Sequence, residues 1–467
     1  MLNKKVLVAA VIGGLFAGNA AAADLSAAGG AIPAYFAKEI VAPATLKTSA
    51  SAATQLTWKL NYNFSNNEVR YARVECSDNI EFDAASTVVL SNPAHGSVGA
   101  INGLGTNVLT FSLTSVGNTL VGSDTVLLSG DHDITSTDQN VTCSVGLYDQ
   151  PSQAQAGGSA GLIQNSSFSG AYLSFAPSYE LAVTPTVHTA DVEATPTFSK
   201  FVVDANTALQ QAKLGNATLA FRLRDPDGNT GVQLATFGVD GNPITFADLF
   251  AAGTNLLVDG DYAIAANTTG TPFADTALTR VKLGATDAKA LTATRATFEN
   301  VQAGFAGTFV ELNKASATTS IPVSDYFASV KVVAADPATY KVTDIAPKKI
   351  ASIVRNGTEL QAPLAQIPGG WYSRLVLTNT SAVARPYTIS VLTEEGVAVT
   401  TGNLTGTIPA NGTKVIDDLS TVFSGHNRAT LVVNVAGPDK SIQGLYQLVN
   451  PTSGSATNHV LVRPGSN

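Results

Sequence analysis

The sequence predicts a mainly β protein: multi-domain antiparallel β-sandwiches in series, the C-terminal one immunoglobulin-like, with few short helices. Three observations carry this reading. Short apolar/polar alternations of period two recur along the chain, separated by Gly, Asn, Asp and Pro. Ala, Thr, Gly, Ser, Asn and Val dominate, and charged residues make up only 13% of the chain, about half the usual share. The last hundred residues form a ladder of short strands with a turn signal after each, the pattern of a sandwich.

The first element is a targeting segment. In "MLNKKVLVAAVIGGLFAGNAAAADLS", Lys4 and Lys5 precede a short apolar run from Val6 to Phe16. Ala21, Ala22 and Ala23 then form an A-x-A site, so residues 1–23 read as an export signal cleaved between Ala23 and Asp24. The apolar run is shorter than the roughly 20 residues a membrane helix needs. No Cys follows the cleavage site, which excludes a lipoprotein anchor. The expected location is extracellular, at the cell surface. The single Met is Met1, so the mature chain carries no thioether to oxidise.

Residues 24–53 are an Ala-rich lead-in, expected to be extended or partly helical. An N-terminal β-domain spans 54–198. Its first strand is "QLTWKLNYNF", where Leu56, Trp58, Leu60 and Tyr62 alternate with polar residues and Trp58 reads as core. "EVRYARVEC", "STVVLS", "NVLTFSLT", "DTVLLSG" and "NVTCSVGLYD" follow. Cys76 and Cys143, the only cysteines, lie on the second and last of these strands. In an exported chain they form a structural disulfide, within one sheet or between two facing sheets. "DQPSQAQAGGSAGLIQNSS" reads as a long loop or linker.

A middle β-rich domain spans 199–358. Leu219, Phe221 and Leu223 alternate before an Asp-Pro-Asp-Gly turn, and "ITFADLFAAG" predicts one short helix from Thr245 to near Gly253. The C-terminal domain spans 359–467. Tyr387, Ile389 and Val391 face one way in one strand, and Leu431, Val433 and Val435 do so in another. Glu395-Gly396 and Asn411-Gly412 mark turns. "GLYQLVNPTSGSATNHVLVRPGSN" closes the domain as a hairpin whose exposed edge is a candidate subunit contact.

The formal charge is −8, and about −10 once Lys4 and Lys5 leave with the signal. An acidic chain with few cations excludes nucleic acid as a partner. His95, His132, His188, His426 and His459 are scattered without zinc spacing, and no P-loop or dinucleotide fingerprint is present. The chain therefore reads as non-enzymatic, with a secreted hydrolase as the third-ranked function. Calcium is the candidate cofactor, because it takes clustered oxygen ligands from acidic loops. Asp131, Asp133 and Asp138 offer one set, Asp225, Asp227 and Asn229 a second, and Asp259 and Asp261 a third. None completes an EF-hand, and each also fits an Asx-type turn between strands.

"WYSRLVLTNTSAVARPYTISVLTEEG", "TIPANGTKVID", "RATLVVNVAGP" and "IQGLYQLVNPTSGSATNHVLVRP" together resemble the end of surface-layer-type, nanopod-like outer-surface proteins of Comamonas/Delftia-type β-proteobacteria. The resemblance covers about residues 365–467 and carries no catalytic residue. It implies self-assembly into a surface layer or tubular array outside the outer membrane, enclosing vesicles. It also implies non-covalent attachment, with lipopolysaccharide or the outer-membrane surface as partner. A secreted adhesin or glycan-binding protein on the same scaffold is the alternative.

Overall fold

The structure, a computed structural model, describes residues 22–117, 119–224 and 234–464. The export segment up to residue 21 lies outside the described residues, as do Asp225, Asp227 and Asn229.

Three sheets form the N-terminal part. One has four strands, in the order Ala23–Asp24, Leu56–Lys59, Thr125–Ser129, Thr87–Leu90. A second has three: Ala44–Leu46, His132–Ile134 and Ile80–Phe82. The third has six, in the order Ala34–Ala37, Phe168–Ala176, Val141–Tyr148, Val69–Cys76, Val108–Ser115, Gly96–Val98. The Ala-rich lead-in thus supplies one strand to each sheet. Its first two strands pair in parallel, Asp24 with Thr57 and Ala34 with Leu173. Leu25, Phe36 and Leu46 anchor it, each almost fully buried.

The alternation read at Leu56 and Trp58 holds, with both side chains in the core. The strand ends at Lys59, because Asn61 adopts a positive φ of 49° that turns the backbone out of the sheet. The Gln/Gly/Ser-rich stretch expected as a loop or linker opens instead with a helix, Pro151–Ala156. Pro stands in its first turn, and Gln150 and Gln153 form a reciprocal cap. The chain then returns to the same six-stranded sheet through Phe168–Ala176. Cys76 and Cys143 are bonded, with their Cα atoms 4.0 Å apart, and sit directly opposite each other on neighbouring strands of that sheet.

The middle part packs two six-stranded sheets. Tyr179–Thr184, Gln211–Phe221, Phe305–Asn313 and Val281–Leu283 are consecutive in one. Thr186–Ala190, Ile345–Arg355, Ser324–Lys331, Asn255–Asp259 and Arg295–Phe298 are consecutive in the other. His188 is fully buried and ties this part together. Its Nδ1 lies 2.8 Å from Thr207 Oγ1, and its Nε2 lies 2.9 Å from the Lys213 carbonyl. The expected helix forms at Phe246–Leu249, with Thr245 and Asp248 as its capping box.

Buried side chains form one continuous cluster from Ala23 to Ile353 and a second from Leu360 to Leu461. The second is a sandwich of two four-stranded antiparallel sheets. One runs Thr358–Gln366, Arg428–Val435, Arg385–Leu392, Thr405–Ile408, and the other Gly412–Ile416, Tyr372–Asn379, Ile442–Val449, Ala456–Val460. Tyr387, Ile389, Leu431 and Val433 of the first sheet face Leu375, Leu377 and Tyr446 of the second. One buried cation fixes this sandwich to the rest of the chain. Arg385, 3% exposed, donates to Glu193 Oε2 at 3.1 Å and to the Val192 carbonyl at 3.2 Å.

Candidate functional site

The acidic turns are placed in separate sheets. Asp133 lies mid-strand in the three-stranded sheet, hydrogen-bonded by Thr45 and directly opposite Glu81. Asp131, just before it, accepts from Lys47 Nζ at 2.7 Å and Ser49 Oγ at 2.6 Å. Burial pushes the Asp131 carboxyl up, but those donors outweigh it and hold it below its ordinary value. Asp138 is 3.9 Å from Lys38. Between the two Asp residues, His132 points inward and is fully buried. Its Nε2 lies 2.9 Å from Tyr172 Oη, and burial pushes its pKa down to about 4.

In the middle part, Asp259 is bound by Arg295 through Nε at 2.6 Å and Nη2 at 3.1 Å, a bidentate pair. Asp261 accepts from the Ala263 N–H at 2.8 Å. Both line an open cleft with Thr292, Thr294 and Asp325, and Asp325 is itself paired with Lys349. Each carboxylate therefore already has protein donors. Among the described residues, no group of three or more His, Cys, Asp or Glu side chains is arranged to hold a metal ion.

The histidines stay apart. His95 Nδ1 is 2.9 Å from Asp124, and Asn92 Nδ2 closes its other nitrogen at 2.7 Å. His426 contacts the Arg428 carbonyl, and His459 stacks on Tyr446 with ring centres 6.0 Å apart. Lys314, missed in the sequence because nothing local marks it, is buried with its Nζ on the carbonyls of Ser199 and Thr319. Burial pushes that amine down to about 8.

The closing hairpin is an open edge of the C-terminal sandwich. All five residues of Ala456–Val460 are exposed, and Val460 reaches 77%. Among the described residues, the strand pairs on one side only, with Ile442–Val449. Leu461 and Val462 then cross to the other sheet, where Val462 exchanges both backbone hydrogen bonds with Gln361. Between strand and crossing lies a cleft of about 320 Å³ lined by Pro363, Leu364, Leu448, His459 and Val460. Half-exposed Leu364 and Val462 rim it. From Ile442 to Val462 the sequence holds no Asp, Glu, Lys or Arg. At the hairpin-turn end of the same sheet, Tyr372 pairs with Val449, which pairs with Ala456; Tyr372 is 54% exposed and the preceding Trp371 38%.

No protein-family model matches the chain, and no curated protein does. Among solved structures, a variant of BcpA, the major pilin subunit of Bacillus cereus, overlays on 83% of this chain and 93% of its own at 8% identity and a TM-score of 0.20. Unsubstituted BcpA overlays on 84% and 96%, at 8% identity and a TM-score of 0.19. The pilus adhesin SpaC from Lactobacillus rhamnosus GG, in its open conformation, overlays on 86% of this chain and 54% of its own, at 10% identity and a TM-score of 0.14. At such TM-scores these overlays carry no argument about the fold or role of this chain.

Proposed function

We propose that the protein is an exported, non-enzymatic structural subunit that packs against copies of itself into a surface layer or tubular array outside the outer membrane. The carrying observation is the C-terminal sandwich. It ends in a fully exposed, uncharged strand beside apolar Leu364, Val460 and Val462. Uncharged strand edges are the surfaces proteins normally guard against self-pairing. The resemblance of residues 365–467 to nanopod-like surface-layer proteins points the same way, with lipopolysaccharide as the attachment partner and calcium as the bridging ion. Electron microscopy of the purified mature chain, with and without added calcium and chelator, tests this reading. Regular sheets or tubes support it. Monodisperse monomers under every condition overturn it.

A second reading, an adhesin or glycan-binding protein, is favoured by the adjacent exposed rings of Trp371 and Tyr372. Glycan binding lost in Trp371→Ala while assembly is retained would select it.

A further inference from the structure

The backbone of the last strand has a definite hydrogen-bonding phase. The Asn450 N–H donates to the Ser455 carbonyl at 2.8 Å, and the Leu461 N–H donates to the Gly444 carbonyl at 3.0 Å. Register pairs Leu448 with Thr457 and Tyr446 with His459 between those two ends. In an antiparallel ladder, hydrogen-bonded pairs alternate with non-bonded ones. Residues 455, 457, 459 and 461 therefore turn their amides inward to the sheet, and 456, 458, 460 and 462 turn theirs outward. Val462 confirms the phase, since its outward groups meet Gln361 at 2.7 and 2.8 Å. Among the described residues, Ala456, Asn458 and Val460 have no such strand beside them.

We propose, resting on the array reading above, that a second copy of this chain occupies this edge through the same strand, antiparallel, about a two-fold axis at Asn458. The outward set is symmetric about that residue. Ala456 then meets Val460 of the partner subunit, Asn458 meets Asn458 of the partner subunit, and all three outward positions are satisfied. The four-stranded sheet becomes one continuous eight-stranded sheet across two molecules.

The choice of a second copy follows from charge and side-chain chemistry. A charged partner strand would find no counter-charge anywhere between Ile442 and Val462, whereas an identical neutral strand needs none. Asn458 already accepts from Gln447 Nε2 at 2.8 Å, so the two-fold extends that contact into a ladder of four amides across the junction. A five-residue edge falls short of the roughly 1,000 Å² an independent interface needs, so it acts as one contact of a lattice.

The chain has no free cysteine, which makes single-cysteine variants clean reporters. In N458C the two thiols stand at a hydrogen-bonded pair, about 5.5 Å between Cα atoms and within disulfide reach. In S455C the same register leaves them about 20 Å apart. Mild oxidation of the full mature chain at assembling concentration is expected to give covalent dimer in N458C at least tenfold faster than in S455C. Val460→Lys, at a side chain 77% exposed, is expected to fold normally and to raise the concentration needed for assembly by tenfold or more. Equal cross-linking in both cysteine variants, or unchanged assembly in V460K, overturns the edge. Arrays seen by microscopy alongside equal cross-linking remove the edge and keep the array reading. A chain that stays monomeric throughout removes both.

Discussion

His132 makes the N-terminal part acid-sensitive by an amount that follows from its burial. The ring is fully buried, its Nε2 bonds Tyr172, and its Nδ1 has no hydrogen-bond partner among the described residues. Burial disfavours the protonated ring by more than the Asp131 backbone and the nearby Asp131, Asp83 and Asp133 carboxylates favour it, so the folded pKa falls from 6.5 to about 4. A lowered histidine pKa means that the unfolded chain binds the proton more readily between those two values. Stability from this site is then complete above pH 6.5 and is lost progressively as pH falls towards 4. Linkage gives a loss of about 1.4 kcal/mol at pH 5.5 and about 2.5 kcal/mol at pH 4.5. His132→Gln keeps a donor for Tyr172 and cannot titrate. It is expected to cost about 1–3 kcal/mol at pH 7.5 through lost packing and hydrogen bonding, and that cost should shrink by about 2.5 kcal/mol at pH 4.5. The assay is urea unfolding of both chains at pH 7.5, 5.5 and 4.5 in a Trp371→Phe background. This leaves Trp58, buried in the same core, as the single reporter. Comparing the two chains at each pH cancels the carboxylates they share. A difference between them that stays constant within about 0.5 kcal/mol over this range refutes the linkage argument.

Arg385→Ala removes the cation that joins the C-terminal sandwich to Glu193 and the Val192 carbonyl. Glu193 is half-exposed and resolvates, so the expected cost is about 1–2 kcal/mol, mostly the orphaned carbonyl. Limited proteolysis should then cleave faster near Asn356-Gly357, between the two cores, with the fragments unchanged. Replacing Cys76 and Cys143 by Ser opens a loop of sequence separation 67 and should lower N-terminal stability by up to about 4 kcal/mol, read by the same Trp58 unfolding curve. Arg295→Ala frees Asp259 beside Asp261. If calcium uses this turn, the variant should gain calcium-dependent melting relative to the parent chain, checked by thermal unfolding with calcium and with chelator.

Local alternation was readable wherever a strand packs one face. Tyr387 and Ile389 are buried while Thr388 and Ser390 are exposed, and Leu431, Val433 and Val435 all enter the core as their spacing implies. The lead-in was not readable, because what orders it is distant. Ala34–Ala37 pairs with Leu173–Ala176, and Phe36 packs on Phe237 with ring centres 5.8 Å apart. A run of Ala and Ser carries no local sign of such partners. The stretch after Tyr148 misled by composition: its Gln and Gly content reads as linker, while Pro151 and the Gln150/Gln153 cap encode a helix start. The acidic turns show the same limit. Their Asp residues were visible, but Lys47 and Arg295, which satisfy them, stand 84 and 36 residues away. The Arg385–Glu193 clip spans 192 residues and has no signature in either segment.

The distribution of charge gives the array reading its physical direction. Residues 24–198 hold fifteen Asp and Glu against five Lys and Arg, while 199–358 hold fourteen of each and 359–467 six of each. The whole net charge of the mature chain therefore sits at its N-terminal part, and the part bearing the free strand is neutral. Copies meeting through the C-terminal sandwich feel little like-charge repulsion there, but they still bring acidic N-terminal parts closer together. Screening acts over about 8 Å at physiological ionic strength, so added salt weakens that repulsion while leaving backbone pairing and apolar contact at the edge nearly untouched. Assembly through the neutral strand should thus become easier as monovalent salt rises from low to physiological levels. Association driven by ion pairs between subunits would show the opposite slope. The sign of that slope separates a neutral seam from an ionic one before any residue is changed.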